Sequence, residues 1–193
     1  MRLIIIIFIF LFNNSQAQNL ISPKDSLDLS LLQDSINLSF KAGDYNSLLD
    51  HSLKLYHTTS INFGVDAIEN ANAAYWVTIA LVGQKRYIEA KDFSIRSYAV
   101  SRSNYRNTDT LFYLKSLYHG LIFNYFKNYE AASTFYIQSR KSMLFHNIND
   151  TSLFNNINGL IRGVNQLIDT AHQNKYFLLS QLIESEINNL ENK

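Results

Sequence analysis

The sequence predicts an all-α protein built from stacked pairs of helices. Three tyrosines, Tyr45, Tyr87 and Tyr129, follow one another at a fixed step of 42 residues, and the apolar positions around them repeat at the same step. Proline occurs once and glycine six times in 193 residues, so few residues interrupt long helices. Because each unit of a tandem array buries its apolar surface against the next, this period predicts a stack of similar helix pairs.

The first element in the chain is predicted to be a secretory signal peptide at residues 1–17. Arg2 is followed by an unbroken apolar run at 3–12 and then by a polar stretch that ends in Ala17. This run is shorter than the roughly 20 apolar residues that cross a membrane, so a signal peptide is favoured over an anchor. We expect cleavage between Ala17 and Gln18, which places the mature domain, 18–193, in the periplasm or outside the cell.

Composition limits the classes of function. The chain is 47% hydrophobic and 13% aromatic, which is enough for a substantial core, and its formal net charge is +1. The sequence has no long run of like charges, so nothing in it indicates binding to nucleic acid or to an anionic membrane surface. Cysteine is absent, which excludes disulfides and a lipid-modified cysteine and favours a bacterial envelope or secreted protein.

The repeat divides the domain into four units, at about 24–63, 64–105, 106–147 and 148–191. Each unit is predicted to contain two helices of roughly four to five turns, joined by a tight turn just before the repeating tyrosine. Asp25, Asp109 and Asp150 precede apolar-periodic runs and are suited to cap their free amides. In the fourth unit Ala171 replaces the tyrosine, and the second helix is expected to begin near Gln173.

The third unit shows the helical periodicity most clearly. Between Thr108 and Phe126, apolar residues recur at threes and fours on two sides of one helix, which predicts that neighbours cover it on both sides. The following segment, from Tyr129 to Leu144, has one apolar side and is predicted to be an amphipathic helix.

Small residues near the turns resemble those of the tetratricopeptide repeat. That family places small residues nine before, three after and ten after the turn tyrosine. At the corresponding positions the second and third units keep mostly small residues, whereas the first unit has larger ones: Ile36, Thr78 and Gly120, then Leu48, Ala90 and Ala132, then Leu55, Ser97 and Ser139. The step of 42 exceeds the family's usual 34, and the proline between repeats is replaced by Ser60, Arg102 and Leu144. The resemblance implies a long-helix variant, a right-handed α-solenoid of about four antiparallel helix pairs.

The resemblance also implies a binding surface on the first helix of each pair. That helix lines the concave side of such arrays, which holds an extended peptide or a partner helix. The groove residues carried over to this chain are Asn72, Tyr75, Ile79, Leu114, Leu117, Leu121, Asn124, Asn156 and Gln166. For the aliphatic members, packing against the adjacent unit is the competing interpretation. The single tryptophan, Trp76, is expected in the core.

Nothing in the sequence predicts catalysis, a cofactor or a metal site. The five histidines are scattered without ligand spacing, and nucleophile elbows and phosphate loops are missing. His119, on a helix before Gly120, is expected to pack or cap. Four Asp-Ser/Thr-aliphatic triplets resemble bacterial O-glycosylation sites, although helix capping or ordinary helix surface explains them too. They begin at Asp25, Asp34, Asp109 and Asp169.

The sequence therefore favours a binding scaffold with a protein or peptide partner. An alternative is a stand-alone sensory or regulatory repeat module, or a neutralising partner for a secreted toxin. A third hypothesis, an enzyme on a helical scaffold, requires a concave polar cluster with perturbed ionisation, for example His119 close to an acidic residue from the next unit.

Overall fold

A computed structural model describes residues 23–168, and this part of the chain is helical without strands, which confirms the all-α prediction for it. The α-helices are α1 (Pro23–Ala42), α2 (Tyr45–Phe63), α3 (Ile68–Gly83), α4 (Tyr87–Val100), α5 (Phe112–Tyr125), α6 (Tyr129–Phe145) and α7 (Thr151–Leu167). A short π-helix, Ser101–Tyr105, continues α4. The expected signal peptide and the second helix of the fourth unit lie outside the described residues.

The same turn occurs three times at the 42-residue step. Its left-handed residue is Gly43, Lys85 or Lys127, with φ of 69°, 62° and 60°. In each turn the next amide donates to a carbonyl five residues back, which closes the preceding helix. These pairs are Asp44 to Ser39 (3.0 Å), Arg86 to Leu81 (2.8 Å) and Asn128 to Phe123 (3.0 Å). Tyr45, Tyr87 and Tyr129 each begin the following helix, as the repeat predicted.

Side-chain caps explain where several helices begin. The Oδ1 atoms of Asp44, Asn128 and Asp150 accept hydrogen bonds from amides in the first turns of α2, α6 and α7. The predicted cap at Asp150 is thus confirmed, with the Leu153 amide 2.9 Å from its carboxylate. Asp109 accepts a hydrogen bond from the amide of Leu111, which lies just before α5, because that helix begins at Phe112.

Each helix packs mainly on the helices before and after it in the chain, and α3 also contacts α5. The close approach depends on positions that are equivalent under the 42-residue step. All nine of these positions are buried: Ile36, Thr78, Gly120, Leu48, Ala90, Ala132, Leu55, Ser97 and Ser139. At Gly120 an added Cβ would lie 2.7 Å from the ring of Tyr136, so only glycine allows α5 and α6 to approach this closely.

The aligned tyrosines occupy equivalent settings in the first two turns. The ring of Tyr45 lies against Gly83, where an added Cβ would be 2.3 Å from it. Tyr87 stacks on Tyr125, with ring centroids 4.2 Å apart and an interplanar angle of 14°. Gly83 and Tyr125 are themselves 42 residues apart. Tyr45 therefore packs on the C-terminal end of α3, and Tyr87 packs on the C-terminal end of α5.

Two buried apolar clusters hold the helices together. The first contains residues of all five helices from α1 to α5 and is centred on α3, which is apolar on nearly every side. The second joins α5, α6 and α7 around Tyr136, Met143 and Ile157. The two clusters adjoin at α5, because Ile122 belongs to the first and Leu117 to the second.

Candidate functional site

The proposed groove residues lie on α3, α5 and α7, but they differ widely in exposure. Tyr75, Ile79 and Leu117 are buried in the apolar clusters. These three side chains therefore serve packing, which was the competing interpretation for the two aliphatic ones. Half-buried members are Asn72, Leu114, Leu121 and Asn124, and Asn156 and Gln166 are exposed.

Tyr75 shows why its ring offers no surface to a partner in this structure. It is 3% exposed, contacts Tyr118 edge to face at 5.7 Å, and lies beside Trp76. Burial raises the pKa of the Tyr75 hydroxyl well above its ordinary value. The core position expected for Trp76 is confirmed, with its ring in edge contact with Phe40 at 5.6 Å.

Lys115 forms the most unusual polar cluster among the described residues. Its ammonium is buried and donates three hydrogen bonds, which uses all three of its protons. The acceptors are Asp109 Oδ2 (2.7 Å), Ser101 Oγ (2.8 Å) and Asn72 Oδ1 (2.6 Å). Asp109 is itself buried. The cluster therefore joins α3, the start of the π-helix, the loop at 106–111 and α5.

The electrostatics of this cluster indicate a structural role. Burial lowers the pKa of Lys115, and the carboxylate of Asp109 opposes that shift. An ammonium with three close acceptors and no exposed surface has little access to a substrate. Asn72 is the most exposed member of the cluster, and its side-chain oxygen accepts the hydrogen bond from Lys115.

The position of this lysine in the repeat is a signal that the sequence itself contains. At the 42-residue step, Lys115 corresponds to Leu31 and Ala73, which are both apolar. A lysine at an apolar position of a repeat indicates a buried cation with a dedicated partner. Its partners, however, come from three separate segments, so only the tertiary structure identifies them.

His119 lies in an enclosed aromatic setting. Its Nδ1 is hydrogen-bonded to Ser94 Oγ, and its ring stacks on Tyr98 with centroids 5.0 Å apart. Phe123 and Phe135 contact the ring edge to face. Burial alone lowers the pKa of His119 to about 4, without a contribution from a carboxylate. The acidic neighbour required by the enzyme hypothesis is therefore not what perturbs this histidine.

The remaining candidates are metal sites and O-glycosylation sites, and the structure describes only some of their residues. Within residues 23–168 there is no group of three or more histidine or acidic residues able to hold a metal. Thr110 has a buried hydroxyl, which disfavours its glycosylation. Ser35 is half-buried and donates to the carbonyl of Leu31, one helical turn earlier. The triplet that begins at Asp169 lies outside the described range, as do the side chains of 25–27.

Among the described helices, none has the length and apolar character needed to cross a bilayer. No protein-family model matches the chain, and none of the curated proteins shows a significant match to it.

Proposed function

We propose that this chain is an exported scaffold that binds a protein or peptide through the concave side of a right-handed helical-repeat array. The observation that supports the proposal most strongly is the recurrence of one turn, with the same hydrogen bonds and the same following tyrosine, at each 42-residue step. Equal connections repeated between similar helix pairs favour a regular superhelical stack, and such stacks present extended surfaces.

The contact between α3 and α5 supports the proposed arrangement. In a stack of pairs, the first helices of successive pairs lie side by side and form one continuous face. Three of the nine groove residues are buried, and the side chain of Asn72 is bonded to Lys115, so the proposed surface comprises Leu114, Leu121, Asn124, Asn156 and Gln166. Amide side chains beside aliphatic ones suit a peptide, because amides pair with its backbone while apolar groups fill its side-chain sites.

Site-specific photocrosslinking tests this assignment. A photoreactive amino acid at Asn124 or Gln166 probes the proposed surface, and the same residue at Asp50 or Ile95, exposed on α2 and α4, is the matched control. The variants are expressed with their export signal, and adducts are identified by mass spectrometry of the envelope and secreted fractions. We expect one recurring protein adduct from the two first positions and none from the controls.

Equal adducts from the control positions would contradict the groove assignment. Asn124→Ala is the accompanying loss-of-function variant, since Asn124 is half-buried and lies near the end of α5. Tyr75→Ala is unsuitable for this purpose. Removing a buried aromatic ring costs about 3–5 kcal/mol, so lost binding would report unfolding.

A further inference from the structure

A second surface lies along the edge where the three repeating turns meet. We call it the turn edge, and its exposed aromatic residues are Tyr45, Tyr125 and Phe126, which are 37%, 51% and 43% exposed. Successive turns touch each other directly, because Gln84 Nε2 donates to the carbonyl of Tyr45 at 2.9 Å and Tyr87 stacks on Tyr125. The rings of the second and third turns are therefore in contact, and the first turn is joined to the second by a hydrogen bond.

Lysines accompany these rings. Lys85 and Lys127 occupy the left-handed positions of the second and third turns, and Lys91 lies 5.7 Å from the centroid of Phe126. Within the described residues these three lysines form no ion pair. Of the carboxylates near the three turns, Asp44 accepts from Ser47 and Glu89 pairs with Arg86, while Asp92 follows Lys91 in the chain and Glu130 lies in the first turn of α6.

The backbone at Lys85 and Lys127 carries a second, independent indication. The first turn has Gly43 at the same position, and glycine adopts a positive φ without strain. A side chain at such a position costs roughly 1–2 kcal/mol, and strain of this kind concentrates at functional sites. Asn147, at the end of α6, has the same conformation and hydrogen bonds, so what distinguishes Lys85 and Lys127 is that both place a positive charge on the turn edge.

We propose that the turn edge binds an acidic, extended segment of a partner protein that carries aromatic side chains. Carboxylates would pair with Lys85, Lys91 and Lys127, and the partner's rings would stack on Tyr125 and Phe126. A membrane is the poorer match. Attraction to anionic lipid contributes about 1 kcal/mol for each lysine, and polybasic membrane sites use roughly four to eight. The turn edge shares no residue with the proposed concave surface, which it adjoins at Asn124, and the proposal does not depend on that surface.

The test uses a random glutamate–tyrosine copolymer as the probe. Polyglutamate, which lacks rings, and vesicles with an anionic lipid are the comparison ligands. Binding is measured by titration at low and moderate salt and is localised by amide chemical shifts. The decisive variant is Lys85→Gly with Lys127→Gly, because glycine relieves the positive φ and keeps the turn folded. Lys54→Gln with Arg162→Gln removes two exposed charges from mid-helix positions as the matched control.

We expect the copolymer to shift amides of the three turns, and the double glycine variant to bind it at least tenfold more weakly with no loss of thermal stability. The control variant should bind as the unmodified protein does. Three results would each overturn the proposal: equal affinity for polyglutamate, binding to the anionic vesicles but not to the copolymer, or an affinity unchanged by the glycine substitutions.

Discussion

Gly43 illustrates how a single residue sets the conformation of a repeating turn. Its φ of 69° lies where side chains are disfavoured, although nothing occupies the space that a Cβ would fill. We expect Gly43→Ala to lower the free energy of unfolding by about 1 kcal/mol, through backbone strain alone. Urea unfolding measures this change.

The matched substitution is Gly159→Ala, at an exposed position inside α7 that also has open space. There alanine should raise the free energy of unfolding by up to about 1 kcal/mol, because the backbone is helical and alanine is the better helix former. Destabilisation by both substitutions would argue against the strain at Gly43.

His119 should make the protein sensitive to acid. Its pKa is lowered by burial from 6.5 to about 4, so the unfolded chain binds this proton more readily than the folded one. The resulting stability is fully present above pH 6.5 and is lost as the pH falls towards 4. Between pH 7 and pH 5 the free energy of unfolding should fall by about 2 kcal/mol less in His119→Gln than in the unmodified protein.

Urea unfolding at the two pH values gives this difference. His57→Gln, an exposed histidine on α2, is the control and should behave as the unmodified protein does. If His119→Gln keeps the full pH dependence, carboxylates and not this histidine govern the acid response.

Replacing Lys115 alone should destabilise the fold strongly. Lys115→Met leaves the buried carboxylate of Asp109 without its cation, so we expect a loss of about 3–5 kcal/mol in the free energy of unfolding. Adding Asp109→Asn removes the unpaired charge while an amide oxygen can still accept from Leu111, and should recover part of the loss. Additive losses in the double variant, measured by denaturant titration, would show that the two residues do not interact.

At the scale of helices, glycine decides how closely neighbours approach. Gly120→Ala would place a Cβ 2.7 Å from the fully buried ring of Tyr136, between α5 and α6. We expect a loss of about 1–2 kcal/mol, measured by thermal or urea unfolding, because overpacking a core exceeds the gain in helix propensity.

Gly83→Ala is the informative comparison at this scale. The Cβ would come still closer to a ring, 2.3 Å from Tyr45, but that ring is 37% exposed and can move outward. Its effect should therefore be smaller than that of Gly120→Ala. The reverse order would mean that the turn tyrosine is held more rigidly than the buried one.

At the scale of the whole molecule, an array should unfold in parts. Contacts are mostly between consecutive helices, and the apolar residues form two clusters. We expect Leu48→Ala, in the first cluster, to reduce amide hydrogen-exchange protection mainly in α1 to α3. Ile157→Ala should do so mainly in α6 and α7. A uniform loss of protection across all helices in both variants would contradict a modular array.

The sequence by itself determined the features that depend on local spacing. The helical content, the turns before Tyr45, Tyr87 and Tyr129 and the cap at Asp150 all follow from periodicity or turn chemistry. These properties arise within one or two helical turns of the chain, so a single segment contains the information for them.

Only the tertiary structure decided which side chains remain at the surface and which polar groups meet. Tyr75 and Asn124 are equally plausible groove residues by repeat position, yet the packing of Tyr118 and Trp76 buries the first and leaves the second half-exposed. Likewise, Lys115 obtains its acceptors from residues 6, 14 and 43 positions away. Burial and polar pairing depend on contacts between distant segments, and no local spacing specifies them.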